Sequence, residues 1–161
     1  GHDELFGADG DDHLWSDGTG NHRLYGGAGN DDLMGGDGNN LLEGGPGDDY
    51  VVGGKNDDSI VGGPGFDYLV GLGGRDDFIF MSVDETAWIV DYEPGVDSIV
   101  IFANSFGATS IDQFTIKETN SGSTFLFFEG QEFVGLLEVS ASDFSLHEDL
   151  ELVTIPEHLL A

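Results

Sequence analysis

Residues 26–79 read GGAGNDDLM, GGDGNNLLE, GGPGDDYVV, GGKNDDSIV, GGPGFDYLV and GLGGRDDFI, one nine-residue phrase repeated six times without a gap. Each unit opens on glycine, repeats glycine at most of its second and fourth places, sets a carboxylate or amide at its sixth, and an apolar residue at its eighth. So short a period predicts a coiled solenoid, in which each coil packs only against its neighbours. The glycines supply the positive φ angles of tight turns. Asn56 replaces the fourth glycine of its unit, and Asn is the next most tolerant residue there.

The register extends backwards. Residues 17–25 (DGTGNHRLY) form a degenerate unit, Ser16 is a one-residue insertion, and residues 7–15 (GADGDDHLW) form a further unit. Residues 1–6 (GHDELF) fit the last six positions of a truncated one, which implies more chain upstream in the natural protein. The eighth positions are then Leu5, Leu14, Leu24, Leu33, Leu42, Val51, Ile60, Leu69 and Phe78, all apolar. One inward side chain per unit, on a strand only about three residues long, satisfies that pattern.

The sixth position carries the chemistry. Calcium takes six to eight oxygens, from carboxylates and backbone carbonyls. A tight glycine loop exposes carbonyls, and the short Asp side chain reaches an ion held close to the backbone. Of 17 acids in residues 1–79, 15 are Asp. Charge serving solubility alone would use more Glu.

The phrase reads GGxGxDxUx, and it resembles the calcium-binding nonapeptide of repeats-in-toxin (RTX), or haemolysin-type, proteins. That resemblance implies a right-handed parallel β-roll with two units per coil and calcium held between loops stacked one coil apart. Alternate units then form separate ladders. One carries Asp12, Asp31, Asp49 and Asp67; the other carries Asp3, His22, Asn40, Asp58 and Asp76. The backbone carbonyls of Gly27, Gly29, Gly36, Gly38, Gly45, Gly47, Gly54, Asn56, Gly63 and Gly65 would complete the ligand sets. Three good sites are expected on the first ladder and one on the second, between Asp58 and Asp76. Asn40 contributes only a neutral oxygen, and His22 is a poor ligand for a hard cation, so the gaps beside them should be weak or empty.

Composition divides the chain near residue 79. Residues 1–79 hold 22 of the 27 glycines, whereas ten of the 12 phenylalanines follow residue 77. The net charge of −28 splits evenly, −14 to each part. Without ions the roll should repel itself and stay disordered, so folding and metal binding become one event. There is no cysteine, so no disulfide can stabilise the fold. Four basic residues against 32 acids argue against a nucleic-acid partner, and no apolar run of about 18 residues predicts a membrane span.

Strands are predicted in residues 77–81, 88–92, 98–102, 114–119, 124–129 and 132–139, with turns at 120–123 and 129–131. Phe102, Phe106, Phe114, Phe125, Phe127, Phe133 and Phe144 are candidates for a small aromatic core. The runs GRDDFIF, WIVDYEPGVDSIVIF and FVGLLEVSASDFSL resemble the segments that close RTX rolls. Residues 80–146 therefore read as a β-rich cap over the last coil, covering unpaired strand edges. Asp91 and Asp97 suit either a terminal ion or, the favoured reading, ordinary surface acids. Residues 147–161 read either as part of an uncleaved type I secretion signal, as the family resemblance implies, or as a frayed end or added strand.

No catalytic constellation emerges. His147 and Glu148 begin something like HExxH, but position 151 is Glu; there is no GxSxG and no cysteine nucleophile. The ninth positions Phe6, Trp15, Tyr25, Met34, Val52, Val61, Val70 and Ile79 form outer apolar stripes, interrupted by Glu43. These pack either on neighbouring coils or against a partner or second copy. The expected function is calcium-triggered folding of a secreted, extracellular bacterial protein after type I export, stabilising an upstream domain. The alternative is a calcium-dependent adhesive or self-assembling surface module.

Overall fold

Six residues of each repeat turn the chain and three extend it, so the repeats lay down short strands at regular intervals. In the computed structural model, which describes residues 1–154, the repeats supply β1 (Glu4–Asp9), β2 (His13–Trp15), β3 (Arg23–Ala28), β4 (Asp32–Gly36), β5 (Leu41–Glu43), β6 (Tyr50–Gly54), β7 (Ser59–Val61), β8 (Gly65–Leu72) and β9 (Asp77–Phe80). The rest of the chain adds β10 (Glu85–Ile89), β11 (Ser98–Phe102), the one-turn helix α1 (Ala103–Phe106), β12 (Phe114–Glu118), β13 (Thr124–Phe128), β14 (Gln131–Leu136) and β15 (Leu150–Val153).

Two sheets result, in the orders β1-β3-β5-β7-β9-β11-β15 and β12-β13-β14-β10-β8-β6-β4-β2. All pairings are parallel except β12 with β13 and β13 with β14, which are hairpins. This is a parallel β-roll. Its register steps by one two-unit coil, and the single extra residue Ser16 is absorbed where Leu5 pairs with Leu24 and Leu14 with Leu33.

Each sheet turns one column of apolar side chains inward. The first runs through Leu24, Leu42, Ile60, Phe78 and Ile99, all 0% exposed, with Leu5 half-buried at its open end. The facing column runs Leu14, Leu33, Val51, Leu69, Ile89 and Leu136. At about 1.5–3 kcal/mol for each fully buried aliphatic side chain, these columns supply most of the roll's apolar stabilisation.

Both sheets run on past residue 79. Phe78 pairs with Ile99, and Ile99 pairs with Leu150; Leu69 pairs with Ile89, and Ile89 pairs with Leu136. The expected strand at 88–92 lies earlier, at Glu85–Ile89, because pairing of Ile89 with Leu69 sets its position and leaves Asp91 and Tyr92 in the following turn. Residues 150–153 form an added strand, whereas residues 155–161 of the expected export signal lie outside the described part.

Phe106, Phe114, Phe133 and Phe144 are buried together with Phe80 and Phe128. Phe102, Phe125 and Phe127 are only half-buried. Phe125 packs edge-on against Trp88, and the Lys117 ammonium stands 4.4 Å from the centre of the Phe127 ring. Alternation along β13 sends Phe125 and Phe127 to the outer face while Thr124, Leu126 and Phe128 point in. The outer stripes divide as well: Phe6 and Trp15 are 67% and 69% exposed, but Val52, Val61 and Val70 are buried.

Candidate metal sites

Coils stacked at strand spacing leave little room between loops, and that crowding explains the glycines. The carbonyls of Gly27 and Gly29 turn toward the Cα atoms of Gly45 and Gly47 in the next coil, and those of Gly45 and Gly47 toward Gly63 and Gly65. A Cβ on Gly45, whose φ is 110°, would run into the Gly27 carbonyl. The second ladder repeats this, with the Gly36 carbonyl against Gly54 and the Asn56 carbonyl against Gly74. Asn56 itself is not among the residues with positive φ; the left-handed conformation falls instead to the second-place residues Ala8 and Leu72. Asn56 accepts the Gly38 amide through its side chain.

The sixth positions form two hydrogen-bonded ladders. Asp31 Oδ1 accepts the Asp12 backbone amide at 2.8 Å, Asp49 Oδ1 that of Asp31 at 2.8 Å, and Asp67 Oδ1 that of Asp49 at 2.9 Å. On the other edge Asp58 Oδ1 accepts from the Asn40 amide at 2.7 Å and Asp76 Oδ1 from the Asp58 amide at 2.9 Å. One oxygen of each carboxylate is thereby fixed, and the other is aimed into its own loop. The buried Oδ2 atoms of Asp12, Asp31, Asp49 and Asp58 have no hydrogen-bond partner. A Cβ on Gly26 would meet both Asp31 Oδ2 and the Gly44 carbonyl, so a carboxylate oxygen and a carbonyl oxygen share one small space. Gly44 stands in the same relation to Asp49 Oδ2 and the Gly62 carbonyl.

Oxygens crowded together away from water disfavour charge. Burial pushes the Asp49 carboxyl up to about 6, with the Asp31 carboxylate adding to the rise, against the downward pull of the Asp31 amide. Asp67 is pushed up to about 7 by burial and by Asp49. On the other edge burial raises Asp58 to about 7 and Asp76 to about 6, reinforced by Asp76 and Asp97 respectively. A divalent cation bound by oxygens would reverse that penalty. Among the described residues no three His, Cys, Asp or Glu side chains converge, so carbonyls must supply most of any ligand set. Such a donor set fits calcium and not a soft metal.

Four positions differ from the buried Asp rungs and their loops. Asn40 Oδ1, the neutral oxygen expected to ligate, accepts the His22 backbone amide at 2.9 Å. Its Nδ2 faces the loop and donates to the carbonyls of Gly36 at 3.3 Å and Gly38 at 3.0 Å. His22 is buried; its Nδ1 accepts the Asp3 amide at 3.2 Å and its Nε2 has no partner. Asp3, at the open end, has a side chain 60% exposed. At the far end the Gly65 carbonyl accepts from the Thr86 hydroxyl at 2.7 Å, because above it lies a strand instead of a seventh loop.

Asp91 and Asp97 are not plain surface acids. Asp97 is buried, and its Oδ1 accepts the Asp76 amide at 3.0 Å, which makes it the next rung of the second ladder. Its place two residues before Ile99 repeats the spacing of Asp76 before Phe78, and that was the available signal. Asp91 accepts the amides of Gly71 and Leu72, one on each oxygen, where other coils offer carbonyls of the next loop.

Residues 1–21, 16–42, 25–60 and 52–80 match four copies of the family model for the RTX calcium-binding nonapeptide repeat. The chain is similar to the solution structure of the AlgE6R3 subunit of the Azotobacter vinelandii mannuronan C5-epimerase, at 23% identity and a TM-score of 0.50, over 87% of this chain and 80% of that one. The AlgE6R2 subunit of that epimerase gives 22% identity and a TM-score of 0.41, over 94% of each chain. Among curated proteins none matches.

Proposed function

The chain belongs to the RTX calcium-binding nonapeptide-repeat family through residues 1–80, and on that premise we propose that its roll is a folding module switched on by calcium. Asp12, Asp31, Asp49 and Asp67 hold ions between successive loops of one edge, and Asp58 and Asp76 hold one on the other. Carbonyls of Gly27, Gly29, Gly45, Gly47 and Gly63 on the first edge, with Gly54 and Asn56 on the second, complete the sets. The carrying observation is the row of buried, partnerless Oδ2 atoms of Asp12, Asp31, Asp49 and Asp58, each beside its loop's backbone. An unmet buried acceptor costs about 1–3 kcal/mol, more when charged, so the ion-free roll is penalised at every rung.

The module works as part of a secreted bacterial protein that crosses a type I channel unfolded and folds outside, where calcium is abundant. Folding there hinders back-sliding and stabilises the segment upstream. Family membership and the charge of −28 support this reading. The protein acts by binding and folding, with no catalytic step of its own.

Calcium titration by calorimetry alongside circular dichroism tests the proposal. The expected result is at least four ions per chain and a strand signal that grows with binding. A fully formed roll in excess chelator, unaltered by calcium, overturns it. A second reading rests on Phe6 and Trp15, which stand exposed on the outer faces, with Phe6 stacked on Tyr25 at 5.0 Å. In it, the outer stripes join copies of the folded roll; light scattering decides, through a rise in mass on adding calcium.

A further inference from the structure

We infer that the Asn40 carboxamide takes the place of an ion in its own loop, so that this rung of the roll is closed by hydrogen bonds and binds no calcium. This deepens the calcium reading of the other loops and rests on it. The amide orientation is forced. The backbone N–H of His22 needs an acceptor, and Asn40 Oδ1 provides it at 2.9 Å. The NH2 group must then face the loop, where the Gly36 and Gly38 carbonyls accept at 3.3 and 3.0 Å.

The position of that nitrogen matches the position of the partnerless oxygen in the Asp loops. A Cβ on Gly35 would lie 2.8 Å from Asn40 Nδ2 and 2.6 Å from the Gly53 carbonyl. The equivalent Cβ on Gly26 meets Asp31 Oδ2 and the Gly44 carbonyl, and that on Gly44 meets Asp49 Oδ2 and the Gly62 carbonyl. At one spot in the repeat, then, an Asp loop gathers oxygens only, and the Asn40 loop inserts two N–H donors among them. Positive hydrogens aimed at the carbonyls do what a cation would do, and they repel one. Consistently, Asp58 Oδ2 has no partner one coil on, whereas neither polar atom of the Asn40 side chain is unsatisfied.

His22 extends the pattern by one coil. Its Nδ1 lies 3.2 Å from the Asp3 amide nitrogen and 3.3 Å from the Asp3 carboxylate, and its buried Nε2 has no partner. Between the Asp3 carboxylate at the open end and Asp58, the second edge therefore carries nitrogen-bearing side chains at two successive rungs. Order at the start of this edge is set by side-chain hydrogen bonds, at any calcium level that folds the opposite edge.

The test is bound calcium per chain in the full protein at saturating calcium, for wild type, Asn40→Ala and Asn40→Asp. Asn40→Ala should keep the wild-type number of ions and lower the melting temperature, since it removes the plug but no ligand. Asn40→Asp should bind one ion more and become less stable in chelator. Loss of an ion in Asn40→Ala, or an unchanged number in folded Asn40→Asp, overturns the inference. If Asn40→Asp does not fold, the Asn40 side-chain amide protons of the calcium-loaded wild type decide, by nitrogen-15 NMR. Slow solvent exchange supports the plug, and fast exchange refutes it. A wild type that binds no calcium at all would sink the calcium reading, while the amide measurement would still stand or fall by itself.

Discussion

Replacing Asp49 by Asn should move stability in opposite directions with and without calcium. Asp49 sits mid-ladder, with Oδ1 accepting the Asp31 amide and a buried, partnerless Oδ2. Asn keeps the first interaction and turns an NH2 group toward the loop, as Asn40 already does in its own coil. In chelator the variant escapes the cost of a buried charge. The Asp49 carboxyl rises from 3.8 to about 6, and at 1.36 kcal/mol per unit that corresponds to roughly 3 kcal/mol above pH 7. Asp49 is 1% exposed, and the effective dielectric that applies even at buried protein sites reduces the figure to about 1–2 kcal/mol. In calcium the variant loses a ligand common to two gaps, Asp31–Asp49 and Asp49–Asp67, so one or two ions should be lost. The folded fraction in chelator by circular dichroism, and the urea midpoint in saturating calcium, each at pH 8 and pH 4, measure both effects. The folded pKa is raised, so the wild-type penalty is absent below about pH 4 and complete above about pH 6. The advantage of Asp49→Asn in chelator must therefore vanish at pH 4. A variant equally destabilised in chelator and in calcium would refute the reasoning, because the carboxylate would then be satisfied without an ion.

The same sign applies to the whole roll: with Asp58 and Asp67 raised to about 7 and Asp76 to about 6, the chelated protein should lose stability as pH rises from 4 to 7. Calcium affinity should strengthen across that window, because each ion must displace the retained protons; a calcium affinity independent of pH in titration calorimetry would count against it. Gly45→Ala places a methyl group against the Gly27 carbonyl at a φ of 110°, which should cost upward of about 2 kcal/mol. Gly10→Ala, at a similar φ but with open space around it, should cost about 1 kcal/mol; equal urea midpoints for the two would refute the packing argument. Asp97→Ala strips the acceptor from the amides of Asp76 and Glu93, and about 1–3 kcal/mol should be lost, visible as a lower melting temperature in calcium.

What could be read from the sequence was whatever repeats. Leu24, Leu42 and Ile60 recur at a fixed spacing because parallel stacking at fixed register leaves one inward place per unit, and all three are fully buried. The sixth-position ladders follow from the same regularity, and the Asp residues stand in them as the spacing requires. The reading failed where a side chain, and not the period, decides. Asp97 was hidden by three extra residues between it and Asp76, although the D-x-apolar spacing ahead of Ile99 survives. Asp91 replaces the next coil's carbonyls with its own carboxylate, which no pattern of hydrophobicity encodes. Asn40 is the sharpest case. As a letter it stands for a neutral oxygen in a calcium loop, yet the amide of His22 claims that oxygen and leaves two N–H groups where the ion would sit. One substitution of Asp by Asn therefore changes a rung that needs a cation into one that excludes it, while the backbone phrase around it stays the same.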